Sequence, residues 1–261
     1  MNPLFLSHGS PMQALEPGPA GRAWVELAAS TAKPRAVLIA SAHWETELPM
    51  LTGRDTLETI HDFGGFPEPL YRIRYDAPGS PELARRAAAL LQSAGYTAAI
   101  NACRGIDHGA WVSLKWMYPA RDVPVVQISV QTALGAAHHL AVGEALAPLA
   151  TEGVLVIGSG HVTHNLRDWS LHREGYGALP YVREFTEWLH AVLERDDREA
   201  LVAWRERAPG AARAHPTEEH FLPLLIALGA AGRGARARRV HASTEGAALA
   251  MDAYVFERAA P

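Results

Sequence analysis

An α/β fold, with a central largely parallel or mixed sheet flanked by helices, is predicted by three observations. Short apolar runs rich in β-branched residues recur along the chain, at Leu4–Leu6, Ala36–Ala40, Pro124–Val130 and Val154–Ile157. Segments with helical spacing and helix-end chemistry lie between them, the order expected of right-handed crossovers. Each of three strand signals is followed by histidine among small residues: Ser7-His8-Gly9, Ser41-Ala42-His43-Trp44, and Gly158-Ser159-Gly160-His161-Val162-Thr163-His164. The carboxyl ends of several strands are therefore expected to deliver imidazoles to one place, the edge at which open α/β sheets bind ligands.

The elements follow in order. Gly18 to Ser30 predicts a helix with Ala23, Trp24, Leu27 and Ala28 on one side, and Pro34 stops it before the second strand. Glu45 to Tyr75 has little helical periodicity and predicts a long loop packed by its own aromatics, the kind that serves as a functional lid. Ser80 is a suitable N-cap and Pro81 a suitable first residue for a helix that buries Leu83, Ala87, Leu90 and Leu91 and ends near Gly95. Tyr96 to Asn101 predicts a strand, Arg104 to Trp111 a turn opening a short helix toward Met117, and Thr132 the cap of a helix across His138 and His139. Two helices are expected between Tyr181 and Arg207, then an apolar helix ending at Gly229 to Gly232, and closing strands at Arg239–Ser243 and Ala248–Phe256.

With 261 residues, 48% of them hydrophobic, the chain can bury a full core. It shows no repeat, linker or charge boundary, which predicts one domain over residues 1–261. A formal charge of −4 excludes the basic field that nucleic-acid binding needs. Arg233, Arg236, Arg238 and Arg239 read as a solvated loop before a strand. The most apolar stretch, Phe221 to Ala231, is interrupted by Pro223 and too short to span a bilayer, so no membrane partner is expected. Cys103, the only cysteine, rules out an intrachain disulfide and points to a cytoplasmic compartment; beside Ala102 it reads as a small core residue. The oligomeric state is open.

Among the 13 histidines, position decides. His138, His139, His172, His190 and His241 sit on helix or strand faces without supporting chemistry and read as structural or surface residues. His8 and His43 each follow a buried strand, and together they point to a shared metal. His108 follows Asp107 and His61 precedes Asp62, so each has a carboxylate nearby. Pattern alone leaves both His161 and His164 as candidates past the glycine-rich strand end. His215 and His220 bracket Pro216 to Glu219, with His220 close to a helix start. The metalloprotease helix, the phosphate-binding loop, the dinucleotide fingerprint and the nucleophile elbow are all absent. A site rich in imidazole and poor in thiolate suits iron, zinc, copper or nickel better than calcium or magnesium.

The motifs Leu4-Phe5-Leu6-Ser7-His8-Gly9-Ser10-Pro11-Met12, Ser41-Ala42-His43-Trp44, Ile60-His61-Asp62-Phe63-Gly64-Gly65-Phe66-Pro67, Asp107-His108-Gly109-Ala110-Trp111, Val162-Thr163-His164-Asn165-Leu166 and Pro216-Thr217-Glu218-Glu219-His220-Phe221-Leu222-Pro223-Leu224 occur in this order. The chain thereby resembles the class III extradiol aromatic-ring-opening dioxygenases, in particular the single-subunit branch similar to 4,5-DOPA extradiol dioxygenase. The resemblance implies that His8, His43 and His220 bind one divalent metal. It makes His164 a fourth ligand or an acid/base group and His108 a substrate-contacting or proton-relay residue, while His161 falls back to a turn residue. His61, Asp62, Phe63 and Phe66 become the candidate substrate-binding residues. Many class III enzymes close the metal site with a glutamate, whereas this branch uses the histidine at position 220; Glu219 beside it keeps a carboxylate in play.

The implied activity is a non-haem Fe(II)-dependent opening of a catechol-type ring, DOPA-like or related, with O2 as the second substrate. Facial protein ligands leave positions on Fe(II) for both catechol oxygens and dioxygen. An imidazole titrating near neutrality can take and return the protons. The same ligands bind Zn(II) well, so zinc is expected as an occupant or a substitute. A zinc hydrolase using metal-bound water and a non-catalytic metal- or ligand-binding protein on the same scaffold are the competing readings. The presence of both His108 and His164 counts against the latter.

Overall fold

The computed structural model describes residues 1–175 and 177–259 and contains twelve strands among them. They are β1 (Leu4–Ser7), β2 (Ala36–Glu45), β3 (Met50–Thr52), β4 (Thr56–Leu57), β5 (Ala77–Pro78), β6 (Ala99–Asn101), β7 (Val125–Val130), β8 (Val154–Gly160), β9 (Arg236–His241), β10 (Thr244–Glu245), β11 (Leu249–Ala250) and β12 (Ala253–Glu257). Eight of these form one mixed sheet in the order β6-β3-β7-β2-β8-β1-β12-β9, and β4 with β5 and β10 with β11 form two small hairpin-like pairs. The pairs β7–β2, β2–β8, β8–β1 and β3–β6 are parallel, whereas β12 and β9 extend the sheet antiparallel. The predicted class, an α/β fold with a mixed sheet between helices, is the observed one.

Side-chain alternation along β2 divides the core. Leu38 and Ala40 face one layer, with the helices Pro81–Ser93, Gly135–Leu146, Pro180–Glu194 and Leu222–Ala231. Val37 and Ile39 face the other, with Trp24 of the helix Gly18–Ser30 and Trp111 of the helix His108–Met117. Each such fully buried side chain contributes about 1.5–3 kcal/mol relative to exposure. The helix Leu222–Ala231 is apolar all round because it lies between the sheet and Gly135–Leu146 and is buried along its whole length. Ser80 caps its helix as expected, its side chain accepting from Leu83 N–H at 3.2 Å. No helix among the described residues is long and apolar enough to cross a membrane.

Several local expectations are corrected. The stretch from Glu45 to Tyr75 is not one loop: it holds β3, which joins the main sheet, then β4 and a helical turn at Glu68–Tyr71. Strands of two or three residues carry too little periodicity to be legible. Between Tyr181 and Arg207 the chain forms three helical pieces rather than two, ending Pro180–Glu194, Arg198–Val202 and Trp204–Arg207. Arg236, Arg238 and Arg239 lie in β9 itself, where Arg238 and Arg239 pair with Glu257 and Asp252 across to β12. The second closing strand begins only at Ala253, because Leu249 and Ala250 pair with β10. Cys103 is exposed in the turn after β6, its N–H held by Asn101 Oδ1 at 2.9 Å, and is not a core residue.

Candidate active site

The strands fix where the imidazoles emerge. In the shared register of β1, β8 and β2, Leu6, Ser159 and Ser41 lie side by side, so His8, His161 and His43 all leave the sheet just beyond one level. The β2–β7 register shifts between Ala40 and Glu45, which frees His43 from a regular ladder position. His108 opens the helix His108–Met117, and Gly109 after it presses on β2 so closely that a Cβ there would overlap Ser41 Oγ. His220 precedes the helix Leu222–Ala231. Its carbonyl accepts His161 N–H at 2.8 Å, and Gly160 leaves the room for that approach.

Gly158, Ser159 and Gly160 are thus the glycine-rich end of β8, fully buried. The absent side chains of Gly158 and Gly160 let the segment carrying His220 and Pro223 lie directly on the strand. His161, expected to be a turn residue, is corrected. It is buried, its Nε2 accepts Gly9 N–H at 3.1 Å, its ring centroid is 4.9 Å from that of His8, and it lines the cavity described below.

His43 Nε2 lies 3.1 Å from His8 Nε2 and 3.2 Å from His220 Nε2. The partners of the other ring nitrogens fix the tautomers. Ser159 donates its hydroxyl proton to Gly109 O and therefore accepts from His8 Nδ1–H at 3.0 Å. Glu219 Oε1 accepts from His220 Nδ1–H at 2.9 Å. Asp62 Oδ2 accepts from His108 Nδ1–H at 2.9 Å and faces His43 Nδ1 at 3.5 Å. Each Nδ1 is turned to an oxygen, which leaves three Nε2 lone pairs facing one another.

Those lone pairs repel unless a cation lies between them, and a proton is disfavoured there. Burial, reinforced by neighbouring imidazoles, holds His8 and His220 well below the ordinary histidine range. The same causes bring His43 down to about 4, burial first and then His108. A metal fits instead: two ligand nitrogens about 2.0–2.1 Å from one ion are roughly 2.9–3.4 Å apart for angles between perpendicular and tetrahedral. His8, His43 and His108 also offer ligand atoms within 4.8 Å of one another, as do His164, Glu219 and His220. In those sets the Nδ1 of His108 is tied to Asp62, as the Nδ1 of His220 is to Glu219 and that of His8 to Ser159, so each of these rings has its Nε2 free.

His164 stands apart from the triplet. Its ring is stacked on His220, with centroids 3.4 Å apart and planes 12° from parallel. Burial first, then His161 and other neighbouring imidazoles, holds it far below its ordinary range and therefore neutral. Asp62 behaves oppositely: its burial would raise it, but the hydrogen bond and charge of His108 bring it to about 2.

Above the imidazoles lies a cavity of about 180 Å3. Its floor includes His8, His43, His108, His161 and His164, and its walls are carbon, from Pro11, Phe63, Phe66, Leu166 and Leu249. Phe63 meets His108 edge-on at 5.5 Å between centroids. Of the four loop residues expected at the substrate, Phe63 and Phe66 line this cavity and Asp62 supports it through His108. His61 does not line it: the ring packs edge-on against Phe63 and its Nε2 lies 3.1 Å from Ile73 O. A cleft of about 370 Å3 beside β9 is larger but shares no residue with the imidazole cluster. Sequence reasoning missed Ser159, Leu166 and Leu249, of which only the serine, on the strand end between two histidine-bearing neighbours, had a signal to find; His161 was a candidate by pattern and was set aside by the resemblance.

A mixed sheet whose parallel strands carry imidazoles into one carbon-walled cavity, around a cluster that can hold a metal, defines an α/β enzyme with a histidine-built site. Residues 3–256 match the family described as the catalytic LigB subunit of aromatic ring-opening dioxygenase. The chain is 43% identical over 258 residues to 4,5-DOPA dioxygenase extradiol of Beta vulgaris, covering 97% of this chain and 95% of the relative. It is 42% identical over 233 residues to the protein of the same name from Escherichia coli strain K12, covering 88% and 85%. A crystal structure of an uncharacterized protein from Escherichia coli K12 has the same fold, with a TM-score of 0.80 and 32% identity over 98% of this chain and 99% of that one. The chain belongs to the LigB family and is an extradiol aromatic ring-opening dioxygenase.

Proposed function

We propose that residues 1–261 act as one catalytic domain that opens a catechol-type ring, DOPA-like or related, in an Fe(II)-dependent reaction with O2. The observation that carries this reading is His43 Nε2, 3.1 Å from His8 Nε2 and 3.2 Å from His220 Nε2, with His8 and His43 lining a cavity of aromatic size. These three residues would hold the metal. Divalent iron, when bound, supplies positions for both catechol oxygens and for O2. Zn(II) fits the same donors and serves as an occupant or substitute without that reactivity toward oxygen.

The chain's own groups then handle protons. His108, with Nδ1–H on Asp62, keeps Nε2 as the free base of a residue lining the cavity, and takes a proton from a catechol hydroxyl. The Asp62 carboxylate stabilises the imidazolium that forms, as a triad carboxylate does. His164, neutral at rest, is the second imidazole and exchanges a proton with the opening ring. His164 lines the cavity beside His220 and is held neutral by burial, which supports an acid/base role. Phe63 and Phe66 hold the ring and exclude water. A single exposed thiol and a near-balanced charge suit a cytoplasmic protein acting on a small aromatic molecule.

The test is reconstitution of metal-free protein with Fe(II) under anaerobic conditions, followed by a panel of catechols and oxygen. Stoichiometric oxygen uptake with a yellow ring-opened product is expected, and zinc-loaded protein should show neither. Zinc-supported hydrolysis of esters or amides, with no oxygen uptake for any catechol, would overturn the reading.

A further inference from the structure

The strand that carries His43 loses its neighbours before it reaches that residue. The β2–β8 register ends at Ser41 opposite Ser159, and the β2–β7 register skips from Ala40 to Glu45, so among the described residues His43 has no ladder partner on either side. A main-chain N–H or C=O that leaves a ladder inside a protein needs another partner, and here side chains take both. His43 N–H donates to Ser41 Oγ at 3.2 Å, and His43 O accepts from Arg104 Nη2 at 3.4 Å. Both side chains end on one group, the fully buried Asp107 carboxylate: Ser41 Oγ donates to Oδ1 at 2.6 Å and Arg104 Nη2 to Oδ2 at 3.0 Å. The Arg104 guanidinium also lies over the Trp44 ring, 4.6 Å from its centroid.

Gln127 on β7 fixes Asp107 in turn. Its Nε2 donates to Asp107 Oδ2 and its Oε1 accepts Asp107 N–H at 3.2 Å, while Asp107 O accepts from Ala110 and Trp111 in the first turn of the helix that begins with His108. One residue therefore ties down both the main chain of His43 and the start of the His108 helix, whose rings lie 4.0 Å apart between centroids. From this circuit we infer that Asp107 is a positioning residue for the metal site, a role that rests on the reading of His43 as a ligand. Asp107 does not line the cavity; through Ser41 and Arg104 it sets His43 Nε2 against those of His8 and His220. Asparagine at 107 keeps the shape but has no charge and only one acceptor oxygen for the three donors of Ser41, Arg104 and Gln127.

Zinc affinity, measured by competition with a chromophoric chelator, tests this. Asp107→Asn is expected to weaken zinc binding about 10–100-fold and, at saturating metal, to alter the visible absorption of the Co(II)-substituted protein. Ser41→Ala cuts one arm and spares the buried carboxylate, and is expected to weaken zinc binding about three- to tenfold, the worth of one neutral hydrogen bond. The double variant should lose less than the product of the two, because both act along one path. Leu149→Ala is the stability control: Leu149 is fully buried just before β8, at the end of that strand away from the histidines. It should lower the unfolding temperature by about 5 °C or more and leave zinc affinity and the cobalt spectrum unchanged. Wild-type zinc affinity in both Asp107→Asn and Ser41→Ala, or an equal loss in Leu149→Ala, overturns the positioning role and leaves the dioxygenase reading standing. A wild-type protein that takes up neither zinc nor cobalt overturns the metal reading with it.

Discussion

His164 lies flat on His220, with ring centroids 3.4 Å apart and planes 12° from parallel. His164 also lines the cavity, where a neutral imidazole can exchange a proton with a bound ring. His164→Ala should therefore lower turnover by about 10²–10⁴-fold, the usual worth of a positioned acid/base, while bound iron stays near wild-type stoichiometry. Metal analysis beside oxygen uptake decides it: parallel loss of iron would make His164 a ligand.

Asp62 joins two imidazoles, accepting from His108 Nδ1–H at 2.9 Å and facing His43 Nδ1 at 3.5 Å. An amide in its place has one acceptor oxygen and no charge to stabilise His108 as it takes up a proton. Asp62→Asn is expected to cut kcat by about 10–100-fold, with a smaller effect on KM, in stopped-flow measurements. A KM-only effect would show that Asp62 serves substrate binding alone.

Ser159 fixes the tautomer of His8 by passing its own proton to Gly109 O. Ser159→Ala leaves the buried Nδ1–H without an acceptor and lets the ring exchange tautomers. Zinc affinity, measured by competition with a chromophoric chelator, should weaken about 10–100-fold. Unchanged affinity would show that the protein shell does not set the His8 tautomer.

Buried histidines outside the metal cradle set a pH dependence. His139 accepts Gln131 N–H at 3.0 Å and donates to Gly135 O at 2.7 Å, while His215 donates to Val162 O at 2.8 Å inside a cluster of Phe185, Trp204 and Phe221. Burial brings them down to about 4 and about 3, from 6.5. Below pH 6.5 the unfolded chain binds protons that the folded chain refuses, so stability is full above that pH and falls as the solution is acidified. Each group contributes about 1.4 kcal/mol per pH unit at most, until its folded value is reached. Urea unfolding of the metal-free protein between pH 7 and 5 should show this slope, and His215→Phe should remove one group's share. An unaltered slope would show that His215 does not titrate differently in the two states.

Much of the site was legible where chemistry is local. His8 and His43 follow strands whose apolar runs announce them, and Ser80-Pro81 announces its helix. His220 was different: its place in the triplet depends on the segment before Leu222–Ala231 lying on β8, a contact between distant parts of the chain that no local pattern encodes, and only resemblance assigned it. His161 was a candidate by pattern, and the resemblance set it aside; its place in the cavity depends on the same contact, since Gly158 and Gly160 are strand residues whose missing side chains admit another backbone. β3, at three residues, was invisible for want of a period.

Gly160 therefore offers a direct test of how the fold builds the site. A methyl group there overlaps His220 O and is 3.4 Å from Pro223 Cδ, and backbone cannot yield as a flexible side chain would. Gly160→Ala should cost about 1–3 kcal/mol of stability, the range for overpacking, and should displace His220 from His43. Gly64→Ala is the control, since a Cβ there meets nothing within 4 Å, and its stability should change by less than about 0.5 kcal/mol. Thermal unfolding and zinc titration of the two variants separate the outcomes. Gly160→Ala with intact zinc affinity would mean that the position of His220 is not set by its contact with β8.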